Sequence, residues 1–276
     1  MSNVSISDAV KYIGVDDHEL DLFEGQYIIP NGIAYNSYVI LDEKTAILDT
    51  VDARFADQWL ANLEAQLQGK TPHYLIISHM EPDHSSVIGR IFDIYPDIIG
   101  VCSARALPMM KRFFTTDYSS RMMVVNEGDT IALGAHTLKF LMAPMVHWPE
   151  VMVTYEQEEK ILFSADAFGK FGALDADEAW TCEARRYYFN ICGKYGAQVQ
   201  ALLKKVAQHD IRTICPLHGP ILSENLEYYI DKYNTWSSYE AEDKGIFIAY
   251  CSLHGNTAQA AQALADILAA KSDIKV

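Results

Sequence analysis

Directly after the apolar run Tyr74-Leu75-Ile76-Ile77, the chain reads Ser78-His79-Met80-Glu81-Pro82-Asp83-His84. The apolar run has the length and residue types of a buried β-strand. The segment after it carries four side chains of the types that bind metals: His79, Glu81, Asp83 and His84. The end of a strand joins a rigid sheet to an adaptable loop, which suits residues that hold a metal ion. Because the Glu81-Pro82 step favours extended or turn backbone, we predict that these side chains fan out from a loop instead of stacking on a helix.

Three later segments each add one residue of a metal-binding type. His147 lies in Met145–Pro149 just after Pro144, Asp166 follows a strand-like segment in Phe163–Gly169, and His218 follows another in Cys215–Pro220. Taken singly, such residues are more often core or capping groups. In the order His-x-Glu-x-Asp-His, His, Asp, His, they predict one shared metal site.

Composition and charge narrow the function classes. The chain has 276 residues, of which 50% are hydrophobic and 21% charged, as in ordinary globular proteins. Its formal net charge of -15 disfavours binding to nucleic acid or to an anionic membrane surface. No apolar run is long enough to span a bilayer, and residues 1–10 lack the features of a signal peptide. The five cysteines are widely spaced without a CxxC pair, which argues against a disulfide framework or a thiolate zinc site and suits a reducing cytoplasm.

The periodicity predicts a mixture of strands and helices. We expect a helix over Phe55–Leu67 that stops at Gly69, and a long helical stretch over Cys182–Gln208. Strands are predicted at Gln26–Pro30, Ala34–Leu41, Thr45–Asp49, Tyr74–Ile77, Ile98–Cys102, Met122–Val125, Thr137–Ala143, Val151–Tyr155, Lys160–Ser164 and Thr213–Pro216. This order indicates an α/β sandwich with a large sheet core.

A domain boundary is expected in the polar, charged segment Ser237–Lys244. The pattern then restarts with a predicted strand, Gly245–Tyr250, a glycine-containing loop and a helix from about Ala258 to Ala270. This is the opening of a βαβ unit. One strand and one helix cannot bury their own apolar faces, so we expect residues 245–276 to be an incomplete domain.

At these residues the chain resembles the flavodiiron proteins. The resemblance includes the seven ligand-type residues and spans nearly the whole chain. Other matching segments are Tyr35–Tyr38, Glu81–Ser85, His147–Pro149, Asp166–Gly169, Arg185–Tyr188 and Leu217–Pro220. The terminal segment Tyr250–Thr257 is similar to the FMN phosphate loop of a flavodoxin-like domain, which these proteins also carry.

The resemblance implies a fold and two cofactors. Residues 1–244 would form a metallo-β-lactamase-like domain, a four-layer αββα sandwich, and residues 245–276 would begin the FMN-binding domain and end early in it. His79, Glu81 and His147 would hold one iron, Asp83, His84 and His218 the other, and Asp166 would bridge the two. The FMN phosphate would be bound by Ser252, Leu253, His254, Gly255, Asn256 and Thr257. Without the remaining strands, we expect this chain to bind FMN weakly or not at all unless another chain completes the domain.

The activity implied by the resemblance is reduction of O₂ to water, of NO to N₂O, or of both, at a non-haem di-iron centre. Electrons would pass through FMN from rubredoxin or a similar carrier, in a cytoplasmic head-to-tail homodimer. An acidic carrier would need a local basic patch on this acidic chain, and Lys111-Arg112 and Arg185-Arg186 are the candidates.

Two alternatives stay open at this point. The first is a di-zinc hydrolase of the same fold, acting on a thioester, lactam or phosphodiester. Relatives of that kind usually place histidine where this chain has Glu81, and a carboxylate there favours iron or manganese, although carboxylates also bind zinc. The second alternative is a metal-stabilised scaffold or oxygen sensor without turnover.

The chain departs from the usual family pattern at Ser86, where glycine is common, at Ala165, where asparagine is common, and at His254, where threonine or tyrosine is common. The first two flank ligands and could tune the site without removing it. The remaining histidines, which are His18, His73, His136 and His209, are predicted to be surface or capping groups.

Overall fold

The computed structural model describes residues 6–271 and 275–276. Its strands are β1 Val10–Tyr12, β2 Val15–Asp17, β3 Leu22–Phe23, β4 Tyr27–Ile28, β5 Ile33–Tyr35, β6 Tyr38–Ile40, β7 Ala46–Leu48, β8 Tyr74–Ile77, β9 Ile99–Ser103, β10 Met122–Val125, β11 Thr130–Ala132, β12 Thr137–Met142, β13 Met152–Glu156, β14 Ile161–Phe163 and β15 Thr213–Cys215. Its α-helices are α1 Ala56–Leu67, α2 Pro82–Ser85, α3 Ile88–Ile94, α4 Ala106–Phe113, α5 Trp180–Ile191, α6 Gly196–Val206, α7 Leu226–Ser237 and α8 Asn256–Lys271.

Most strands belong to two mixed sheets. One has six strands in the order β1-β6-β7-β8-β9-β10, and the other has five in the order β11-β12-β13-β14-β15. In the first sheet β7, β8, β9 and β10 pair in parallel, so their carboxyl ends meet at one edge. In the second sheet β14 and β15 are parallel and the other pairs are antiparallel. Two small antiparallel pairs, β2-β5 and β3-β4, complete the pairing.

The two sheets share one core between them. Alternate side chains of the first sheet, such as Tyr38 and Ile76, and of the second, such as Phe140 and Phe163, belong to a single buried cluster. The ring centroids of Tyr38 and Phe163 lie 5.3 Å apart. Alternation with a period of two places the intervening residues on the opposite face of each sheet.

Those opposite faces are covered by helices. In α1 the buried residues Trp59, Leu63 and Leu67 recur every fourth position, and they share a second buried cluster with Leu75 and Ile77 of β8. The helix ends where predicted, because Gln68 and Gly69 adopt positive φ angles of 50° and 85°. Helices α5, α6 and α7 contribute to the same cluster.

Two predicted elements are divided in the structure. The segment Ala34–Leu41 forms β5 and β6 in different sheets, separated at Asn36 and Ser37. The Asn36 side-chain amide donates to the carbonyls of Pro216 and Gly219, which diverts the chain from one sheet to the other. The stretch Cys182–Gln208 forms α5 and α6, because a 3₁₀ turn over Gly193–Tyr195 separates them.

Other expectations were wrong or incomplete. Pro82 begins the short helix α2 instead of keeping the segment extended, because proline is well tolerated at the first helical position. Asp83 and His84 therefore lie on a helical turn, whereas His79 and Glu81 precede it. Helices α4 and α7 were not predicted.

The chain divides into two compact units, Met1–Ser238 and Tyr239–Val276. In the second unit the predicted helix is confirmed as α8. The strand predicted at Gly245–Tyr250 is wrong for the described residues, since only Gly245 forms a bridge, to Lys275. A strand needs neighbours that supply a continuous hydrogen-bond ladder, and Phe247 of this segment is 92% exposed. Across the described part of the chain, every helix is too short or too polar to cross a lipid bilayer.

Candidate metal centre

The segment Ser78–His84, here called the ligand loop, is fixed by hydrogen bonds from the preceding part of the sheet. The Asp49 carboxylate accepts from the backbone amides of Ser78 and His79 at 2.7 and 3.3 Å. Thr50 donates to the His84 carbonyl through both its amide, at 3.0 Å, and its hydroxyl, at 2.7 Å. The end of β7 therefore sets the path of the chain that follows β8.

The other ligand-type residues come from loops of the second sheet. His147 lies between β12 and β13, Asp166 follows β14, and His218 follows β15. The Leu217 amide donates to the Ala165 carbonyl at 2.9 Å, so the last two of these loops are joined directly. All seven residues predicted from the sequence are brought together, in two groups.

The first group contains His79, Glu81, His147 and Asp166. Glu81 Oε2 lies 3.2 Å from His79 Nε2 and 3.0 Å from His147 Nε2. The two Nε2 atoms are 3.3 Å apart. Asp166 Oδ2 lies 2.9 Å from His147 Nε2 and 3.5 Å from His79 Nε2.

The second group contains Asp83, His84 and His218. The Nε2 atoms of the two histidines are 3.0 Å apart, and each lies 3.4 Å from Asp83 Oδ2. Both imidazoles are fully buried.

Asp166 lies between the groups. Its Oδ2 faces the first group, and its Oδ1 lies 3.5 Å from His84 Nε2 and 3.9 Å from His218 Nε2 in the second. A carboxylate with one oxygen toward each group is the arrangement expected of a ligand shared by two metal ions.

Two histidines are oriented by hydrogen bonds at the nitrogen that faces away from the groups. His79 Nδ1 lies 2.9 Å from Glu150 Oε1, and His218 Nδ1 lies 2.8 Å from the Ala34 carbonyl oxygen. Both partners accept, so each Nδ1 donates a proton and each Nε2 faces the neighbouring group. Glu150 was not predicted from the sequence, in which it is one glutamate after Pro149. No local spacing connects it with His79.

Negative charge dominates the first group. Burial disfavours a charged imidazole, but for His79 the Asp166 charge and the hydrogen bonds to Glu150 and Glu81 outweigh this effect and raise the pKa. The pKa of His147 rises to about 9, because the close carboxylates of Asp166 and Glu81 likewise outweigh burial. Burial raises the pKa of Glu81, but the neighbouring histidines reverse this and hold it well below its usual range. The group therefore favours positive charge placed among its ligand atoms.

In the second group, burial has the largest effect on the pKa values. Burial lowers the pKa of His84, and the neighbouring His218 lowers it further. Burial also lowers the pKa of His218 and raises that of Asp83, which the nearby Glu81 and Asp166 charges raise further. The imidazoles are thus kept neutral, the form that binds metal.

The donor set fits two metal ions. Both carboxylate oxygens of Asp83 and of Asp166 are buried, and among the described residues neither pair makes an aligned hydrogen bond. Buried carboxylates normally have such partners, so four oxygens without one fit a role as ligands of a cation. Four imidazoles and three carboxylates provide nitrogen and oxygen donors, which suit iron, manganese or zinc.

A cavity of about 430 Å³ reaches the two groups from the outside. Its lining includes the ligand-type residues Glu81 and Asp83, together with Phe23, Glu24 and Arg54. Glu24 lies in the β3–β4 turn, and burial together with the Glu81 charge raises its pKa to about 6. The cavity gives a small substrate direct access to the ligand carboxylates.

Comparison with known proteins agrees with the site. A family profile described as ODP family beta lactamase matches residues 33–219, a span that includes all seven ligand-type residues. The structure is similar to that of the flavodiiron protein from Giardia intestinalis, with a TM-score of 0.90 and 28% identity over 98% of this chain and 68% of that one. The chain belongs to the flavodiiron protein family. The predicted metallo-β-lactamase-like α/β fold is therefore confirmed.

Two further flavodiiron relatives have functional names. The chain is 32% identical to nitric oxide reductase from Moorella thermoacetica over 97% of its own length and 69% of that protein. It is similar to rubredoxin oxygen:oxidoreductase from Desulfovibrio gigas, with a TM-score of 0.86 and 28% identity over 95% of this chain and 68% of that one. Both names denote oxidoreductases, which supports an oxidoreductase role for this flavodiiron chain.

The remaining predicted residues lie elsewhere. The six residues predicted to bind the FMN phosphate are in the second unit, where Ser252–Gly255 form a loop and Asn256 and Thr257 begin α8. Of the expected basic patches, Lys111 lies 3.8 Å from Asp117, and Arg186 pairs with Glu183 at 2.6 Å.

Proposed function

We propose that this chain is a di-iron oxidoreductase that reduces O₂ to water, NO to N₂O, or both. The observation that carries the proposal is Asp166, whose two oxygens face two separate groups of buried histidines and carboxylates. A mononuclear site would not need a carboxylate shared in this way.

The seven ligand-type residues would bind the two irons in the following way. His79, Glu81 and His147 would hold one iron, Asp83, His84 and His218 the other, and Asp166 would bind both. A pair of ferrous ions in these positions would supply two electrons together to a diatomic molecule. Three ligand carboxylates offset most of the charge of two divalent ions, which limits the net charge buried at the site.

The cavity supports a small substrate. Its volume of about 430 Å³ exceeds the needs of O₂ or NO, and its lining includes Glu81 and Asp83. The lining combines charged side chains, such as Glu24 and Arg54, with apolar ones, such as Leu20 and Phe23.

Electron supply is part of the proposal. FMN would deliver the electrons, received from rubredoxin or a similar carrier, in a head-to-tail homodimer. The names of the relatives support this route, as does the loop Ser252–Gly255 at the start of the 16-residue helix α8. The free amides of a helix N-terminus suit a phosphate group.

Metal analysis and gas consumption test the proposal. Chain produced without oxygen in iron-supplemented cells should contain about two irons, and it should consume O₂ or NO when an artificial reductant is supplied. His147→Ala should abolish turnover, whereas His18→Ala, a histidine exposed outside the site, should not. Two zinc ions despite ample iron, with hydrolysis of a thioester or phosphodiester, would contradict the proposal and favour the hydrolase.

A further inference from the structure

Glu150 lies directly behind a predicted iron ligand. Its Oε1 accepts from His79 Nδ1 at 2.9 Å and from the Met80 backbone amide at 2.9 Å. The residue is 2% exposed, and its backbone carbonyl accepts a hydrogen bond from the Ser103 hydroxyl at 2.6 Å. One carboxylate oxygen thus fixes both the imidazole of His79 and the backbone of the next residue in the ligand loop.

The two histidines of the second group have weaker partners. His218 Nδ1 donates to the neutral Ala34 carbonyl, and His84 Nδ1 has no hydrogen-bond partner within residues 6–271 and 275–276. An anionic acceptor strengthens the hydrogen bond and makes the opposite ring nitrogen a better donor to a metal. Glu150 therefore distinguishes the first group from the second.

The second carboxylate oxygen of Glu150 argues against a role in packing alone. Oε2 is buried, and in the described part of the chain it makes no hydrogen bond. A buried anion with one unsatisfied oxygen lowers stability relative to a neutral or apolar residue. A residue selected only for stability would not keep that charge.

We propose that Glu150 is a positioning residue, which holds His79 with Nε2 toward the first metal and increases the affinity of that metal position. The inference rests on the proposed two-metal function. It assigns a role to a residue that would not itself touch metal or substrate.

Two substitutions separate charge from orientation. Glu150→Gln keeps a side-chain oxygen that can accept from His79 Nδ1 and from the Met80 backbone amide. The Met80 backbone amide also disfavours the flipped glutamine side chain, in which the NH₂ group would face this donor. Glu150→Leu removes the acceptor and leaves the imidazole free to turn. The matched control is Glu156→Gln, a fully buried glutamate whose oxygens accept from the Glu158 and Glu159 amides away from the metal groups.

The probe is Co²⁺, titrated into the metal-free full chain and followed by its visible ligand-field spectrum and by bound metal per chain. Wild type and Glu156→Gln should bind two ions. In Glu150→Gln one of the two dissociation constants should rise about 10-fold, and in Glu150→Leu the same position should weaken about 100-fold, in the range typical of outer partners of metal ligands. The second position and its spectrum should be unchanged, and the intermediate behaviour of glutamine is the rescue expected of a positioning role.

Unaltered affinities in both Glu150 variants would overturn the inference. Equal weakening of both metal positions together with a lower Tm of the metal-free protein would also overturn it, since that result indicates a general structural role. A wild-type chain that does not bind two ions would contradict the proposed function, on which the inference about Glu150 rests.

Discussion

Replacing Asp166 with asparagine should empty both metal positions, although each position would keep three other ligands. The substitution preserves size and removes one negative charge at a fully buried site. His79, His147 and His84 each have a ring nitrogen within 3.5 Å of this carboxylate. The charge is therefore shared by both groups, and its removal should affect both.

The magnitude follows from the dimensions of the site. The ligand atoms of the first group, which include one Asp166 oxygen, lie within 4.8 Å of one another. Two unit charges about 4 Å apart interact by about 4 kcal/mol at an effective dielectric constant of about 20. That energy corresponds to roughly a thousand-fold weaker binding. A divalent ion feels at least this much, so Asp166→Asn should raise both dissociation constants by about 1000-fold or more.

The assay is a competition between the protein and a chelator of known affinity, with bound iron measured after anaerobic desalting. Asp17→Asn is the matched control, because Asp17 is also fully buried but pairs with Arg54 at 2.7 Å outside the metal groups. The control should retain two irons. Loss of only one iron from Asp166→Asn would refute the shared position of this carboxylate, and retention of both with native affinity would refute its role as a ligand.

Three further predictions concern metal choice and stability. Glu81→His should shift bound metal from iron toward zinc when both are supplied in equal amounts, because it replaces an oxygen donor with imidazole; an unchanged iron-to-zinc ratio by elemental analysis would contradict this. Leu63→Ala should lower the free energy of unfolding in urea by about 2–5 kcal/mol, since Leu63 is fully buried, whereas Glu64→Ala on the exposed side of the same helix should change it by less than about 0.5 kcal/mol. Burial lowers the pKa of His136, but hydrogen bonds to its carboxylate partners, Asp42 first, outweigh it and raise the pKa. The unfolding free energy of wild type should therefore exceed that of His136→Asn most below about pH 6.5, and the difference should decline as the pH rises through the raised pKa. A difference that grows with pH in urea titrations would contradict the assignment.

The predictable parts of the fold were those with a strong local signal. Strand β8 has the predicted limits, because an uninterrupted apolar run followed by polar residues has few other interpretations. Helix α2 was missed because Pro82 was treated as a residue that prevents helix, although it occupies the first helical position. Helix α7 was missed because its buried residues are mainly large aromatic side chains such as Tyr233 and Trp236, which do not give a clear apolar stripe.

In the site, too, residues marked by a local sequence pattern were predicted, whereas a residue defined by a contact with a distant part of the chain was not. The predicted ligand-type residues were recognisable as a set, because four of them lie within six positions directly after a buried strand. Glu150 gave no such signal, because its meaning depends on His79, which is 71 positions away in the sequence. The division of the ligand-type residues into two groups was inferred from the family resemblance alone, because sequence spacing does not specify which loops meet.

The arrangement of the metal groups follows from the packing of the two sheets. His79 belongs to the loop after β8 of the first sheet, whereas Asp166 and His218 follow β14 and β15 of the second. Tyr38 of the first sheet donates through its hydroxyl to the Pro216 carbonyl at 2.6 Å, and so fixes the loop that carries His218. Because these bonds belong to the protein itself, folding brings the donors together, and substitutions between the sheets should disturb metal binding without touching a ligand. The site is therefore a property of the whole sandwich, which explains why a short motif alone is insufficient to build it.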